Sequence, residues 1–296
     1  MAGRARSEPA SRNGAQRGEA ERRSVGPASG VRWLDSHCHV TADEFAEDRA
    51  AVLASARAAG VEALVAIGSG YGLEANARAV ALAAADAGVF AAVGVHPHEA
   101  GQLDDAGRAK LARWLDAPRV VALGECGLDY HYMRSPREVQ REVLAEQLAL
   151  ARGRDLPVSL HVRGAEPDAF EELLDLWRAE GRGALQGVLH CYTGTLDFAR
   201  RAVAAGLHVS FSGILTFKRD GGLREVARAL PLERLLVETD APLLAPEGFR
   251  GRRNEPARVA LVGEVLAAVR GIPTEEVARA TTRNARALFR LGEGPP

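Results

Sequence analysis

Trp33-Leu34-Asp35-Ser36-His37-Cys38-His39 joins a short apolar run to a polar cluster that contains two histidines. Side chains at positions i and i+2 of a β-strand point to the same side, so the imidazoles of His37 and His39 should project together. One metal ion can accept both nitrogens, which makes this strand end a candidate metal site. A His-x-His pair by itself fits an ordinary strand end equally well, and the rest of the chain decides between the two interpretations.

The composition is typical of a soluble globular protein. The 296 residues are 47% hydrophobic and 26% charged, and the net charge is −1 at pH 7. Without an overall basic excess, any contact with nucleic acid must be local. The sequence has no apolar run long enough to span a membrane, so we expect no membrane association. Three cysteines without a secretory signal are typical of a reducing compartment, which makes the cytoplasm the expected location.

Residues 1–30 differ from the rest of the chain. They contain six arginines among Ser, Gly, Ala and Pro, with almost no apolar side chains. Such a segment cannot bury enough surface to offset the entropy lost on ordering. The sequence therefore predicts a disordered, Arg-rich tail at 1–30, followed by one folded domain at 31–292.

Short apolar runs alternate with longer segments of helical period from Val31 onward. The predicted strands are 31–36, 63–68, 89–95, 119–124, 157–162, 187–191, 207–212 and 235–239. The predicted helices are 43–59, 73–87, 104–116, 136–152, 166–180, 196–205, 221–230, 254–270 and 274–289. Continuous apolar runs suit parallel strands covered on both faces. Eight strand–helix units in about 260 residues predict an α/β fold, a single-domain (β/α)8 TIM barrel. A doubly wound open sheet is the alternative, because alternation does not show closure.

Metal-binding side chains collect at the carboxyl ends of the predicted strands, which form one mouth in such a barrel. They are His37 and His39 at the first strand, Glu125 at the fourth, His161 at the fifth, His190 at the sixth and Asp240 at the eighth. Of the eight histidines, only His208 lies at a strand start. Histidines with purely structural roles would not be expected to choose one end so consistently, so we predict that the metal site lies there.

A site for two divalent ions follows from this arrangement. His37, His39 and Asp240 come from strands that adjoin on closure and can hold one ion, with Glu125 as a fourth ligand. His161 and His190 can hold a second ion, and the two oxygens of Glu125 can bridge both. Paired ions polarise a substrate oxygen and lower the pKa of a shared water, for which Asp240 is the candidate general base. A donor set rich in imidazole favours Zn²⁺ or Mn²⁺ over Mg²⁺, but the sequence leaves the identity of the ions open.

Substrate contacts are predicted from charge on the same side of the barrel. Arg163, Lys218 and Arg253 follow the fifth, seventh and eighth strands, where they can bind phosphates without reading bases. Solvated surface charges are the alternative. One of His96 and His98, after the third strand, is predicted to face the substrate, with His96 as the candidate, and a supporting or loop-ordering role is the alternative.

Other residues near the ligands are expected to have supporting roles. Asp35 and Glu238 precede His37 and Asp240 by two residues, and should donate or accept hydrogen bonds that support the ligands. The three cysteines, Cys38, Cys126 and Cys191, each neighbour a predicted ligand. They should point away from the metal as small buried apolar side chains.

At this point several motifs resemble a known family. They include Asp35-Ser36-His37-Cys38-His39, Gly94-Val95-His96-Pro97-His98, Gly124-Glu125-Cys126-Gly127-Leu128-Asp129, His190-Cys191-Tyr192-Thr193-Gly194 and Glu238-Thr239-Asp240-Ala241-Pro242. Over residues 33–291 the chain resembles the TatD-type deoxyribonucleases of the metal-dependent hydrolase superfamily. The resemblance implies a DNase that depends on divalent ions, with DNA as its partner, and some members of the family are 3′→5′ exonucleases. It also implies a ligand set of His37, His39, Glu125, His161, His190 and Asp240.

Two other functions stay open from the sequence. The same barrel hosts hydrolases of amides, lactones and small phosphoesters, and fold alone cannot choose among them. Some of those relatives bridge their metals with a modified lysine, whereas this chain carries Glu125 on the fourth strand, which favours the DNase. A non-enzymatic metal-binding or nucleic-acid-binding protein is the remaining alternative, and a complete ligand set counts against it.

Overall fold

Eight parallel strands run in sequence order around a barrel in the computed structural model, which describes residues 30–164 and 168–292. They are β1 (Trp33–Cys38), β2 (Val61–Ile67), β3 (Val89–Val93), β4 (Val120–Asp129), β5 (Val158–Arg163), β6 (Gly187–Leu189), β7 (Leu207–Phe211) and β8 (Leu235–Val237). Every predicted strand is present. The structure confirms the predicted (β/α)8 barrel and excludes the alternative of an open, doubly wound sheet. The predicted tail at 1–30 lies outside the described residues except for Gly30.

Nine α-helices occur in the described parts of the chain. They are α1 (Arg49–Ala58), α2 (Ala75–Ala85), α3 (Asp105–Leu115), α4 (Arg137–Arg154), α5 (Asp168–Gly181), α6 (Leu196–Ala204), α7 (Leu223–Ala229), α8 (Val259–Arg270) and α9 (Thr274–Leu288). The first predicted helix is divided, because a 3₁₀ turn at Asp43–Phe45 precedes α1. Close helix packing explains Gly263 of α8, where an added Cβ would lie 2.1 Å from the Trp33 ring. Within the described ranges, no helix has both the length and the hydrophobicity to cross a bilayer.

The interior of the barrel is apolar at the amino ends of its strands. Leu34, Val65 and Leu236 are buried there in one cluster with Leu288 and Phe289, which lie at the end of α9. This packing closes the lower end of the barrel. The polar side chains that point into the barrel therefore lie at the opposite end, where the carboxyl ends of the strands meet.

Hydrogen bonds hold the seam between β1 and β8. They join β1 and the residue after it to the segment that follows β8. Asp240 N donates to His37 O at 2.9 Å, and His39 N donates to Ala241 O at 2.7 Å. The buried Asp35 carboxylate accepts from Thr239 N at 2.9 Å and from Thr239 Oγ1 at 2.5 Å. Burial raises the pKa of Asp35 to about 8, against the lowering effect of the Thr239 hydrogen bonds. The seam therefore joins two predicted ligand segments that lie about two hundred residues apart.

The raised pKa of Asp35 predicts a pH dependence of stability. Its pKa in the folded state lies above the unfolded value, so the folded protein binds the extra proton and loses stability as pH rises from about 4 to 8. Asn cannot titrate, so in metal-free buffer Asp35→Asn should gain about 1.4 kcal/mol per pH unit relative to wild type between pH 5 and 7. Urea unfolding at several pH values measures the free energy of unfolding of both proteins, and the slope of their difference against pH tests the prediction. A difference that stays constant with pH would report only the altered geometry of the hydrogen bonds at position 35. Asp175→Asn, at an exposed position, is the control, and a pH-independent difference would contradict the prediction.

Candidate metal centre

A cavity of 580 Å³ opens at the carboxyl ends of the strands, where the sequence predicts the metal site. Five of the six predicted ligands line it, namely His39, Glu125, His161, His190 and Asp240. The sixth, His37, is completely buried beside them. Closure of the barrel therefore brings together all six side chains that the sequence selects.

Glu125 occupies a different place in its strand from the one predicted. It lies inside β4 rather than at the end, because β4 continues to Asp129. The pairing of β4 with β5 shifts register between Gly124 and Cys126, and irregularities of this kind can re-aim a side chain beside an active site. Ser69 Oγ accepts a hydrogen bond from Glu125 N at 2.8 Å and fixes the backbone there. Gly127 lets β4 approach β5 closely, because an added Cβ would lie 1.9 Å from His161 O.

The first group of ligand atoms surrounds one point. His37 Nε2 and His39 Nε2 lie 3.4 Å apart, and each lies 3.5 or 3.6 Å from Glu125 Oε2 and from Asp240 Oδ1. His37, His39 and Glu125 form a triangle of the size that the ligands of one zinc ion span, and Asp240 Oδ1 lies beside the same two nitrogens. Four lone pairs that converge in a buried space repel one another unless a cation or protons lie between them. The residues present therefore fit a divalent cation.

The second group forms around the other oxygen of the same carboxylate. Glu125 Oε1 lies 2.8 Å from His161 Nδ1 and 2.7 Å from His190 Nε2. Glu125 thus presents one oxygen to each group. A carboxylate placed in this way can bridge two ions, so the bridging role of Glu125 stays a prediction.

Hydrogen bonds to the second ring nitrogen orient three of the histidines. In each case an oxygen lies within hydrogen-bonding distance of the nitrogen that points away from the ligand groups, and when it accepts a hydrogen bond there, the other nitrogen can offer its lone pair to a metal. The acceptors are Ser159 Oγ for His37 Nδ1 at 3.3 Å, Asp129 Oδ2 for His161 Nε2 at 3.1 Å and Glu238 Oε1 for His190 Nδ1 at 3.3 Å. These contacts favour the tautomers that a metal requires.

His96 shows the opposite arrangement. Its Nδ1 accepts from His98 N at 3.1 Å, and burial lowers its pKa to about 4, so the neutral ring carries its proton on Nε2. That nitrogen lies 3.4 Å from Glu125 Oε1, towards which it can donate. His96 also forms, with Glu125 and His161, one of the side-chain groups that could hold a metal ion. In this tautomer, however, its Nε2 carries a proton and is not free to bind a metal, which distinguishes His96 from the six predicted ligands.

Electrostatic coupling between the groups is strong. Burial alone would raise the pKa of Glu125, but the imidazoles of His190, His96 and His161 lower it well below its ordinary value. Burial likewise opposes ionisation of Asp240, and the hydrogen bond with His39 lowers its pKa. Both carboxylates are therefore charged at neutral pH, as ligands of a cation must be.

Two neighbouring acids differ in role from each other. Glu238 supports a predicted ligand directly through His190, and also accepts from Cys191 N at 2.7 Å. Asp35 contacts only the backbone of His37, at 3.3 Å, and otherwise binds Thr239 at the seam. The expectation of a supporting hydrogen bond thus holds for the ring of His190 and not for that of His37.

One residue that sequence reasoning missed is Asp129. Its Oδ2 lies 2.9 Å from His98 Nε2 and 3.1 Å from His161 Nε2, and its Oδ1 accepts from the backbone of His131 and Tyr132. The available signal was its position four residues after Glu125, since alternate residues of an extended strand share a face.

The cysteines fall into two classes. Cys38 and Cys126 are buried in the core outside the barrel, as expected. Cys191 was predicted to point away from the site, which was wrong. It lines the cavity, with Sγ 3.1 Å from Ser212 Oγ. Its φ of +43° lies outside the strand conformation on which the prediction relied, because β6 already ends at Leu189.

The three predicted phosphate-binding residues differ in where they lie relative to the cavity. Arg163 lines the cavity. Arg253 does not: its guanidinium is bound by Asp48 at 2.6 and 2.9 Å and by Glu44 O at 2.6 Å, and lies over the Phe45 ring. Lys218 is exposed and lies outside the cavity lining. A substrate contact of Arg253 or Lys218 thus stays a prediction that this geometry does not support.

Comparison with known proteins agrees with the geometry. The family model for TatD related DNases matches residues 34–290. The 3′-5′ ssDNA/RNA exonuclease TatD of Pantoea vagans is 40% identical over 264 residues, which cover 87% of this chain and 99% of that protein. The uncharacterized metal-dependent hydrolase YabD of Bacillus subtilis is 37% identical over 258 residues, with the same two coverages. The crystal structure of the TatD homologue YJJV of Escherichia coli superposes with a TM-score of 0.82 at 35% identity, covering 88% of this chain and 99% of that one.

The orientation of the imidazoles predicts which histidines hold a metal. His161→Ala should lower the affinity for Mn²⁺ or Zn²⁺ at least about tenfold, because a nitrogen lone pair is lost from the site. His96→Ala should leave the affinity within about threefold, because its Nε2 carries the proton. Isothermal titration after chelator treatment measures both values, and His208→Ala, at the opposite end of the barrel, is the control. Equal losses in the His96 and His161 variants would contradict the assignment.

Proposed function

Because the chain belongs to the family of TatD related DNases, which are metal-dependent hydrolases, we propose that it hydrolyses phosphodiester bonds of single-stranded DNA from the 3′ end. One observation carries the proposal: Glu125 presents one oxygen to His37 and His39 and the other to His161 and His190. The Pantoea vagans relative, named an exonuclease of single-stranded DNA and RNA, supplies the polarity and the substrate class.

We propose that two divalent ions occupy the two groups. His37, His39, Glu125 and Asp240 would hold one ion, and Glu125, His161 and His190 the other. When bound, such a pair polarises a phosphoryl oxygen and lowers the pKa of the attacking water. Zn²⁺ and Mn²⁺ match the nitrogen-rich donors, and Mg²⁺ is the third candidate.

The side chains then divide the remaining work. Asp240, charged at neutral pH, is proposed to accept the proton of the attacking water as general base. Arg163, on the cavity wall, is proposed to bind a phosphate oxygen of the substrate. His96 can turn its Nε2–H from Glu125 towards a phosphate oxygen across the same cavity.

The proposed partner is DNA, bound through its phosphate backbone without sequence preference. Arg163, an exposed arginine at the rim of the cavity, can bind the phosphate of any nucleotide, and such contacts carry no sequence information. The cytoplasm is the proposed location, because the free thiols of Cys38, Cys126 and Cys191 suit a reducing compartment.

The function is tested with 3′-labelled single-stranded DNA. The protein should release labelled nucleotide after Mn²⁺, Zn²⁺ or Mg²⁺ is added to chelated enzyme, and not before. Asp240→Asn should lower kcat about a hundredfold or more, since general base catalysis contributes that much. Asp175→Asn, the same substitution on an exposed helix face, should keep wild-type rates. Cleavage of small phosphodiesters alone would favour the small-molecule hydrolase, and binding without cleavage under every ion would favour a binding protein.

The position of the arginines predicts different effects of their removal. Arg163→Ala should raise KM for the oligonucleotide about tenfold, because a charge-assisted hydrogen bond to phosphate is lost. Arg253→Ala should instead lower Tm by a few degrees through loss of its contacts with Asp48 and Phe45. Steady-state kinetics and thermal unfolding separate the two. A larger rise in KM for Arg253→Ala than for Arg163→Ala would contradict this arrangement.

A further inference from the structure

Large apolar side chains are exposed at the mouth of the barrel. Within residues 30–164 and 168–292, those with high exposure are Tyr132 at 51%, Met133 at 46% and Leu243 at 52%. Tyr132 and Leu243 line the cavity of the candidate metal centre, and Met133 does not. Such exposure costs free energy in water, and apolar groups grouped at a cavity indicate a ligand with an apolar face.

The backbone of Tyr132 is fixed relative to the candidate metal centre. Its N–H donates to Asp129 Oδ1 at 2.8 Å, and the other oxygen of Asp129 lies 3.1 Å from His161 Nε2. His161 in turn contacts Glu125 at 2.8 Å. A short chain of hydrogen bonds therefore ties the backbone of Tyr132 to Glu125, although the residue lies in a surface loop.

The neighbours of the Tyr132 ring are aromatic and cationic. The ring of His98 meets it edge-on, with centroids 5.6 Å apart and an angle of 88° between the planes. The guanidinium of Arg163 lies 4.8 Å from its centroid. Leu243 follows β8, four strands away from β4, and therefore stands on the opposite wall of the cavity. A flat apolar group that enters the mouth thus meets Tyr132 on one side and Leu243 on the other.

A second cavity adjoins the first on the side of Tyr132. Its volume is 440 Å³, and Arg163 and Thr193 line both cavities. His131, Gly164 and Gly194 form part of its remaining wall. A nucleic-acid strand that leaves the candidate metal centre can pass Arg163 into this second cavity. Among the described residues, Arg163 is the only charged side chain that lines both cavities, and it lies where a backbone phosphate would cross.

From this geometry we propose that Tyr132 stacks on the base of the nucleotide adjacent to the one being released. Arg163 contacts the phosphate that follows, and the strand continues into the second cavity. Base–aromatic stacking tolerates any sequence, because every base has a π-face. It requires an unpaired base, so the same residue selects single strands over duplexes. This inference rests on the proposed function, since it names a contact of that substrate.

Paired substitutions at position 132 test the inference. For a 3′-labelled single-stranded oligonucleotide with Mn²⁺, Tyr132→Ala should raise KM about tenfold, and Tyr132→Phe should stay within twofold, because stacking needs the ring and not the hydroxyl. The ratio of this KM to that for bis(p-nitrophenyl) phosphate should rise in Tyr132→Ala alone. Met133→Ala, an equally exposed neighbour outside the cavity lining, should match wild type on both substrates.

A modified substrate supplies a second readout. An oligonucleotide abasic at the penultimate position should show the raised KM with wild-type enzyme and no further rise with Tyr132→Ala. With 2-aminopurine at that position, binding in chelator should quench fluorescence in wild type and Tyr132→Phe but not in Tyr132→Ala. The stacking role would be overturned if the abasic site and Tyr132→Ala raised KM additively. It would also be overturned if Tyr132→Ala raised KM equally for the oligonucleotide and for bis(p-nitrophenyl) phosphate. Wild-type enzyme that cleaves no oligonucleotide would instead contradict the proposed function.

Discussion

The carboxylate of Glu125 is the group on which the rest of the site depends. Its Oε2 faces His37 and His39, while its Oε1 lies within hydrogen-bonding distance of His161 and His190. A buried carboxylate is costly unless positive charge compensates it. The surrounding imidazoles already lower the pKa of Glu125 in this way, and cations in both groups would add to the compensation. The register shift in β4 beside Glu125 can re-aim its side chain towards both groups.

Around this carboxylate, the second layer of contacts determines what each imidazole can do. Asp129 and Glu238 accept from the outward nitrogens of His161 and His190, which leaves their inward lone pairs available. For His96 the backbone N–H of His98 occupies the lone pair instead. Chemically identical side chains around one cavity therefore have different capabilities, and the difference comes from a single hydrogen bond each.

The outer wall of the cavity combines loop residues such as Tyr132 and Leu243 with Arg163 at the end of β5. Asp129 belongs to both sides, because one of its oxygens orients His161 and the other holds the backbone of Tyr132. The loops that vary among barrels of this kind carry substrate contacts, while the strand ends carry the chemistry. Asp129 therefore links the loop that follows β4 to the candidate metal centre.

The sequence by itself determined the eight strand–helix units and the six predicted ligands, because apolar periodicity and strand-end position are local properties of the chain. Only the tertiary structure decided that β4 extends beyond Glu125 to Asp129, that Cys191 faces the cavity and that Arg253 is bound by Asp48. These outcomes depend on register shifts, left-handed backbone and partners far away in sequence. No local pattern encodes them, because a charged side chain takes its partner from whatever the closed barrel brings within reach.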